Sequence, residues 1–558
     1  MSANLSPLSF IFFASNLPKL FLEQSWDLEL IVDRSPAELR EKFNKVWLWR
    51  GGVSSVLGSG WRLRRDAFPA YPYPFIRIDL SFASALLLAR MLSLMALSTF
   101  RRLMHKTASA VSKSALWSLL TLTFLSRVLF ALLVWRLNGP QGFMSPDTFW
   151  YLTLAQSLLH GSFSVGGTPE IVRTPGYPLL LLPAVAGHHL VLIALLENFS
   201  LAAASAWLVW KIASGLVPSS KAAWWAAVFY CFEPVGFLFS EKLLSDLMFA
   251  TQLLLFVWLT VGFLRNPTAI RLMGAAFALG MATYTRPISL FLGLWLVPVF
   301  LLFPRELSSA KRIPRAIAFV LLFTMTLVPW IVRNVRIAGY RKFSAIADFN
   351  LYFYFEAAIK AKLEHKSLSL AQQELGYYFE DSYFQLHPEQ RNWPQARILQ
   401  YQNAEAWRII SQHWLSFSLI QFRGCVIVLL DPAATTALKL LRLYPESGGL
   451  LHRAADEGLF RSTLGFLRQN PIAALALPLL GMQLGLYYIL AFAGLRRIPR
   501  EIAVLFVSLI FYFVLVSGGP MSEARFRAPI MPLVCIAAGV AMARWYSREQ
   551  QPEATSVT

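Results

Sequence analysis

Apolar residues recur along this chain in runs of about twenty, the length an α-helix needs to cross a bilayer. Ten such runs are read between Ala115 and Ala543: Ala115–Leu137, His189–Ile212, Ala222–Leu238, Leu247–Leu264, Arg271–Tyr284, Ile288–Phe303, Ala316–Val332, Ile472–Leu495, Ile502–Val516 and Ala528–Ala543. The fifth is short for a span unless its flanking residues contribute. Two segments have other patterns. From Thr148 to His160, Trp150, Tyr151, Leu154, Ala155, Leu158 and Leu159 share one helical face, Thr153, Gln156, Ser157 and His160 share the other, and Gly161 can close the end. Such a helix lies in the interface plane. Trp414–Leu430 is apolar but carries Arg423, and counting it as a span would invert everything downstream. It reads as an interfacial or re-entrant helix.

Charge then orients the chain. Arg305, Lys311, Arg312 and Arg315 in one connection, and Arg496, Arg497 and Arg500 in another, mark cytoplasmic loops under the positive-inside rule. The first outer loop, residues 139–176, and the polar segment from Phe343 to about His413 then fall on the extracytoplasmic side. The expected organisation is an N-terminal extension (1–114), a transmembrane catalytic core (115–342), an extracytoplasmic loop region with an interfacial helix (343–470), C-terminal spans (471–546) and a disordered tail (547–558). Within the extension, Ser81–Phe100 is apolar but interrupted by Arg90, and translation starting later, at Met104, is a plain alternative.

Composition narrows the function. A chain that is 56% hydrophobic is not a soluble enzyme. Its net charge of +20 is read against anionic lipid rather than nucleic acid, because no basic, aromatic-interleaved soluble domain is present. Cys231, Cys425 and Cys535 lie far apart in apolar runs and read as small core hydrophobes. A His-Glu-x-x-His motif, a nucleophile elbow and a Walker loop are all absent, which argues against membrane protease, lipase and ATPase.

The predicted topology gathers Asp147, Arg173, Asp246, Arg286, Arg333 and Arg525 at one membrane edge, although they are far apart in sequence. A carboxylate at a membrane surface is costly unless it is partnered or functional. Guanidinium groups suit phosphate oxygens, and a carboxylate suits proton abstraction from a hydroxyl. Each residue also has a purely structural reading. Asp147 can cap the helix that follows it, and Asp246 can favour the positive end of a helix dipole. Arg286 and Arg333 can snorkel to headgroups. In Arg173-Thr174-Pro175-Gly176-Tyr177-Pro178 the prolines and Gly176 fix a sharp re-entry, and Tyr177 is expected at the interface. Glu241 and Lys242 are expected to pair on the surface. Glu233, Glu197 and Asn198 are expected as interhelical hydrogen-bonding groups.

Five motifs in order resemble GT-C glycosyltransferases, in particular the bacterial branch related to protein O-mannosyltransferases and the lipid A aminoarabinose transferase. They are Ser145-Pro146-Asp147 with the Arg173–Pro178 turn, Phe239–Asp246, Thr285-Arg286-Pro287, Pro329–Asn334, and Gly518-Gly519 through Arg527. The resemblance covers roughly Ala115 to Trp545. It implies an all-α polytopic membrane protein, a GT-C-type transmembrane helical bundle with interfacial helices and a small extracytoplasmic loop domain. It further implies an inverting transfer of sugar from a polyprenyl-phosphate donor to a lipid, glycan or protein acceptor, at the extracytoplasmic face of a bacterial inner membrane. Asp147 would be the base, Asp246 would support the acceptor or a metal, and Arg173, Arg286, Arg333 and Arg525 would hold the donor phosphate. No cofactor is implied beyond the lipid-linked donor. Thr148 and Phe526 stand where the family commonly has an acid or Tyr and a Tyr. A transporter or flippase for an anionic lipid is the alternative from another class.

Overall fold

The computed structural model describes residues 113–549 apart from 218–219, 305, 378–379, 445–464, 466–467 and 469–470. The expectations for the N-terminal extension, including Ser81–Phe100 and a start at Met104, and for most of the tail lie outside the described residues.

The described chain is all-α apart from one two-residue hairpin. By length and composition, six helices can cross a membrane: Ser114–Phe143, Leu190–Leu216, Asp246–Arg265, Ser309–Ala338, Pro471–Leu495 and Arg500–Ser517. Two bent helix pairs raise this to as many as eight. The remaining predicted runs are shorter helices, Ala269–Thr285, Pro287–Leu302 and Met531–Trp545. The architecture is that of an all-α polytopic membrane protein. Large apolar side chains such as Leu129, Leu132, Met325, Phe422 and Ile489 face outward, because lipid replaces water around the bundle.

The predicted span Ala222–Leu238 is broken. Lys221–Cys231 and Pro234–Ser240 meet at 52°. Pro234 has no N–H to continue the first helix, and Glu233 caps the second by accepting from Val235 N at 2.9 Å and Gly236 N at 2.5 Å. Glu233 is therefore a helix cap rather than an interhelical bridge. Asn198 does bridge, donating to Ser240 O at 3.2 Å and Lys242 O at 2.9 Å.

Trp414–Leu430 bends 99° away from Gln395–Gln412, so the two do not form one straight span. Its C-terminal end is held by the buried Arg527, which donates to Val428 O at 2.7 Å, Leu429 O at 3.1 Å and Asp431 O at 2.7 Å. At Gly424 the helix touches the loop that carries Arg525 backbone to backbone. A Cβ there would lie 2.0 Å from Gly519 N.

Residues 340–412 form a lobe of short helices. Its core contains Tyr352, Phe353, Ala361, Tyr383, Ile398 and Ala406. A second cluster joins the lobe to the loop ahead of Arg173, through Ile171 and Val172 against Tyr340, Ala345, Ala396 and Leu399.

Candidate active site

The helix bearing Asp147 spans Pro146–Leu159, two residues earlier than its apolar pattern suggests. Proline suits the first helical position, where its missing N–H has no partner to lose. The cap is therefore Ser145, in extended conformation, whose N–H donates to Thr148 Oγ1 at 3.0 Å. The Thr148 hydroxyl donates in turn to Leu243 O at 2.8 Å, tying the helix start to the loop before Asp246. Asp147 lies inside the first turn and its carboxylate caps nothing, which replaces the capping role its position suggests.

That carboxylate is held between two arginines. Arg525 Nη1 lies 3.4 Å from Oδ2, and Arg173 Nη2 lies 3.7 Å from Oδ1. The Asp147 side chain keeps 38% exposure, so the pair is open to an incoming group. Burial raises the carboxyl pKa, but Arg525, Arg173 and Arg286 together outweigh it and hold the group below the ordinary 3.8. Asp147 is ionised at neutral pH.

Arg173 is positioned by its own loop. The guanidinium lies over the Trp150 ring at 4.3 Å. Glu170 Oε1 accepts from Val172 N at 2.6 Å and Arg173 N at 2.9 Å, fixing the turn. Gly176 then lets the chain pass directly over the end of helix Ala269–Thr285. A Cβ there would meet Thr285 Oγ1 at 2.6 Å and Tyr284 O at 2.7 Å. Pro175 is the N-cap residue of the following short helix. Tyr177 is fully buried with its ring edge-on to Tyr151 at 4.9 Å, so it packs inside the protein instead of facing the interface.

A second acid–arginine pair adjoins the first. Asp246, 2% exposed, begins the span Asp246–Arg265 and is ion-paired with Arg286. The Phe526 ring lies between the two pairs, 5.6 Å from the Arg286 guanidinium and 5.0 Å from that of Arg525. Glu523 Oε1 approaches Arg525 Nε at 2.5 Å. Tyr151 reaches Ser245, beside Asp246, at 3.1 Å. Asp147, Asp246, Arg173, Arg286 and Arg525 therefore converge.

Arg333 is used differently. It donates to Glu170 O at 2.5 Å and Phe163 O at 2.7 Å, with the rings of Trp330 and Phe163 at 4.6 and 5.4 Å. Its guanidinium closes the base of the hairpin Ser164–Val165/Thr168–Pro169, whose two-residue loop uses positive φ at Gly166 and Gly167.

Glu241 and Lys242 do not form a surface pair. Glu241 is fully buried and neither carboxylate oxygen has a hydrogen-bond partner. Burial pushes its pKa up to about 8 despite the opposing pull of Arg127. Lys242 Nζ instead donates to Gly142 O at 2.7 Å and Met144 O at 3.3 Å, bracing the segment before Asp147. The helix break at Pro234 turns both residues inward.

Sequence reasoning missed Glu523, Ser245 and Glu170. Glu523 stands two residues before Arg525, and Glu170 three before Arg173, spacings that could have flagged them as local partners. Among the described residues, no three His, Cys, Asp or Glu side chains converge to hold a metal ion.

The sequence matches no family model and no curated protein. Among solved structures, the chain is similar to the archaeal oligosaccharyltransferase AglB from Archaeoglobus fulgidus, solved in complex with an inhibitory peptide and a dolichol-phosphate. The likeness has a TM-score of 0.39 and 10% identity, and covers 78% of this chain. It spans 52%, about half, of that protein's length.

Proposed function

We propose that the protein is a membrane glycosyltransferase that moves a sugar from a polyprenyl-phosphate carrier to a hydroxyl-bearing lipid, glycan or protein at the extracytoplasmic face. The observation that carries the reading is the Asp147 carboxylate, ionised, partly exposed and bracketed by Arg525 and Arg173. A cluster of guanidinium groups beside an unprotonated base suits a reaction between a phosphate-bearing molecule and a hydroxyl.

In this reading Arg173, Arg286 and Arg525 hold the carrier phosphate, and Arg333 keeps the Arg173 loop in register through its hairpin contacts. Asp147 takes the acceptor hydroxyl's proton as the oxygen attacks the anomeric carbon. The bond from that carbon to the phosphate oxygen breaks, and the electron pair leaves with the polyprenyl phosphate. A single displacement inverts the anomeric configuration. Asp246 orients Arg286 by its ion pair.

A transporter of an anionic lipid remains the second reading, because a span broken at Cys231–Pro234 is a feature that transporters use. Donor uptake into vesicles, assayed separately from sugar transfer by the protein in detergent, separates the two, and a strain comparison tests the role of Asp147. Envelope lipids and glycans of a deletion strain, compared by mass spectrometry with a strain carrying Asp147→Asn, should both lack one sugar modification and accumulate its charged carrier. A complemented strain that restores the modification with Asp147→Asn would overturn the enzymatic reading.

A further inference from the structure

The arginines that flank Asp147 do not fix its place. Arg525 and Arg173 stand 3.4 and 3.7 Å from its oxygens, longer than the roughly 2.7–2.9 Å of a tight charge-assisted hydrogen bond. The position of the carboxylate is therefore set by the backbone that carries it, and residues 242 and 243 grip that backbone. Leu243 is bonded at both of its main-chain polar groups. Its N–H donates to Phe143 O at 3.0 Å, and its carbonyl accepts from the Thr148 hydroxyl at 2.8 Å. Beside the first of these bonds, Lys242 Nζ donates to Gly142 O at 2.7 Å and Met144 O at 3.3 Å. The chain from Gly142 to Thr148 thus closes around Leu243, with Asp147 inside the closed stretch. Phe143, Thr148 and Leu243 are all buried.

The grip is itself anchored. Asn198, in the span Leu190–Leu216, donates to Ser240 O at 3.2 Å and Lys242 O at 2.9 Å. Asp246 then begins the next span three residues after Leu243. Tyr151, one turn beyond Asp147, adds its contact with Ser245 Oγ at 3.1 Å. One short segment, 240–246, therefore holds the Asp147 turn and delivers Asp246. The Thr148 hydroxyl has a fixed direction in this arrangement. Ser145 N–H can only donate and Leu243 O can only accept, so the hydroxyl proton points to Leu243 and a lone pair to Ser145. In an ordinary capping box a Glu or Gln at this place reaches back to the cap and goes no further. Thr148 carries the connection across to a residue 95 positions along the chain.

Resting on the glycosyl-transfer reading, we propose that Thr148 and Lys242 are positioning residues of the transfer, which hold the Asp147 carboxylate at a fixed place beside the Asp246–Arg286 pair. They act through Asp147 and need make no contact with either substrate. A base has to lie within hydrogen-bond reach of the hydroxyl it serves. Misplacement by about 1 Å can cost on the order of 10²-fold in rate. A carboxylate held only by long ion pairs would follow its arginines as they turn to a phosphate, and the clasp at residues 242–243 keeps it where the acceptor arrives.

The test uses the full chain in lipid nanodiscs. Its substrate probe is the envelope lipid and glycan extract of the deletion strain, which under the proposed function holds both the charged carrier and the unmodified acceptor. Thr148→Val keeps the shape and removes the hydroxyl, Thr148→Ser keeps the hydroxyl, and Lys242→Met keeps the stem and removes the donor. Amide exchange over residues 142–148 should accelerate in Thr148→Val and Lys242→Met and return to the parent rate in Thr148→Ser. In the first two, kcat per folded molecule should fall roughly 10- to 100-fold with the apparent donor KM within about twofold of the parent, and Thr148→Ser should recover to within about threefold. A purely structural contact would lower the folded yield and the thermal midpoint but leave kcat per folded molecule unchanged, and that result overturns the proposal. So does an equal loss in Thr148→Ser, or a rise in donor KM that matches the fall in kcat. If Thr148→Val does not fold, Lys242→Met decides by the same readings. A parent that transfers no sugar overturns the proposed function and this role together. Transfer that is lost in Asp147→Asn and kept in the Thr148 and Lys242 variants overturns this role alone.

Discussion

Asp147 and Arg525 stand 378 positions apart in the chain and meet at 3.4 Å. The contact joins the first turn of an interfacial helix to the loop between the last two apolar helices. Each partner has a second tie, Asp147 to Arg173 and Arg525 to Glu523.

Replacing Asp147 with Asn should leave the fold almost untouched and the chemistry nearly abolished. The helix keeps its Ser145 and Thr148 contacts, and Arg525 keeps Glu523. Turnover of a lipid-linked sugar should fall on the order of 10²–10⁴-fold, with the thermal midpoint within a few degrees of the parent. Activity within about threefold of the parent, far short of that range, would remove Asp147 from the base role.

The pH profile of the parent follows from the same site. The folded carboxyl lies below its ordinary 3.8, so Asp147 stays ionised as pH falls from 8 to 5. The part of the rate that depends on it should be flat over that range, and so should the stability contributed by its ion pairs. Both are lost only as pH falls through the folded value, below 3.8. A rate that halves by pH 6 because of Asp147 protonation would contradict this, and loss of the same step in Asp147→Asn would identify it.

Arg286 should matter to folding more than its exposure suggests. Removing it leaves Asp246 charged and 2% exposed, a situation that typically costs about 3–5 kcal/mol. Arg286→Gln should therefore lower the thermal midpoint markedly, and adding Asp246→Asn should recover most of it. Recovery of stability without recovery of turnover would show that the pair serves both folding and chemistry.

Arg333→Lys tests whether that residue acts through the hairpin. An ammonium on a flexible stem cannot reproduce two divergent N–H bonds to Glu170 O and Phe163 O held between two rings. Amide exchange over residues 163–173 should accelerate, and donor KM should rise less than in Arg525→Lys. Unchanged exchange together with a donor KM as high as in Arg525→Lys would instead make Arg333 a direct phosphate ligand.

Glu241 gives a prediction on stability alone. Its folded pKa of about 8 exceeds the ordinary 4.5, so the native state favours the protonated form. Stability should decline as pH rises from 4.5 towards 8, at up to about 1.4 kcal/mol per pH unit from this group. Glu241→Gln mimics the neutral form and should flatten the thermal midpoint between pH 6 and 8. An unchanged slope would mean that Glu241 is ionised and satisfied.

Hydrophobic runs carried most of the helical layout, because a lipid-facing helix announces itself over a whole window of residues. The converging acids and arginines were legible only through the order of the spans. Details set by one or two residues were not. Proline at the first helical position moved the cap from Asp147 to Ser145, and Pro234 broke a span that hydropathy read as continuous. Arg333 carries the same charge as Arg173 and lies at the same membrane edge. Only the hairpin carbonyls distinguish its use, and backbone carbonyls leave no trace in a sequence.

The three acids Asp147, Asp246 and Glu523 and the three arginines Arg173, Arg286 and Arg525 cancel one another in charge. Under the proposed function, an arriving anion would meet a neutral assembly, and its uptake would be an exchange in which one carboxylate releases its guanidinium. The released carboxylate must find water or a proton. Glu523 is set up to take one, since burial raises its pKa and, against the pull of Arg525, the neighbouring carboxylates of Asp246 and Asp147 raise it further. Under the proposed function, anion capture would then be linked to proton uptake: acid would tighten the seat, and loss of that proton would favour release of the anion.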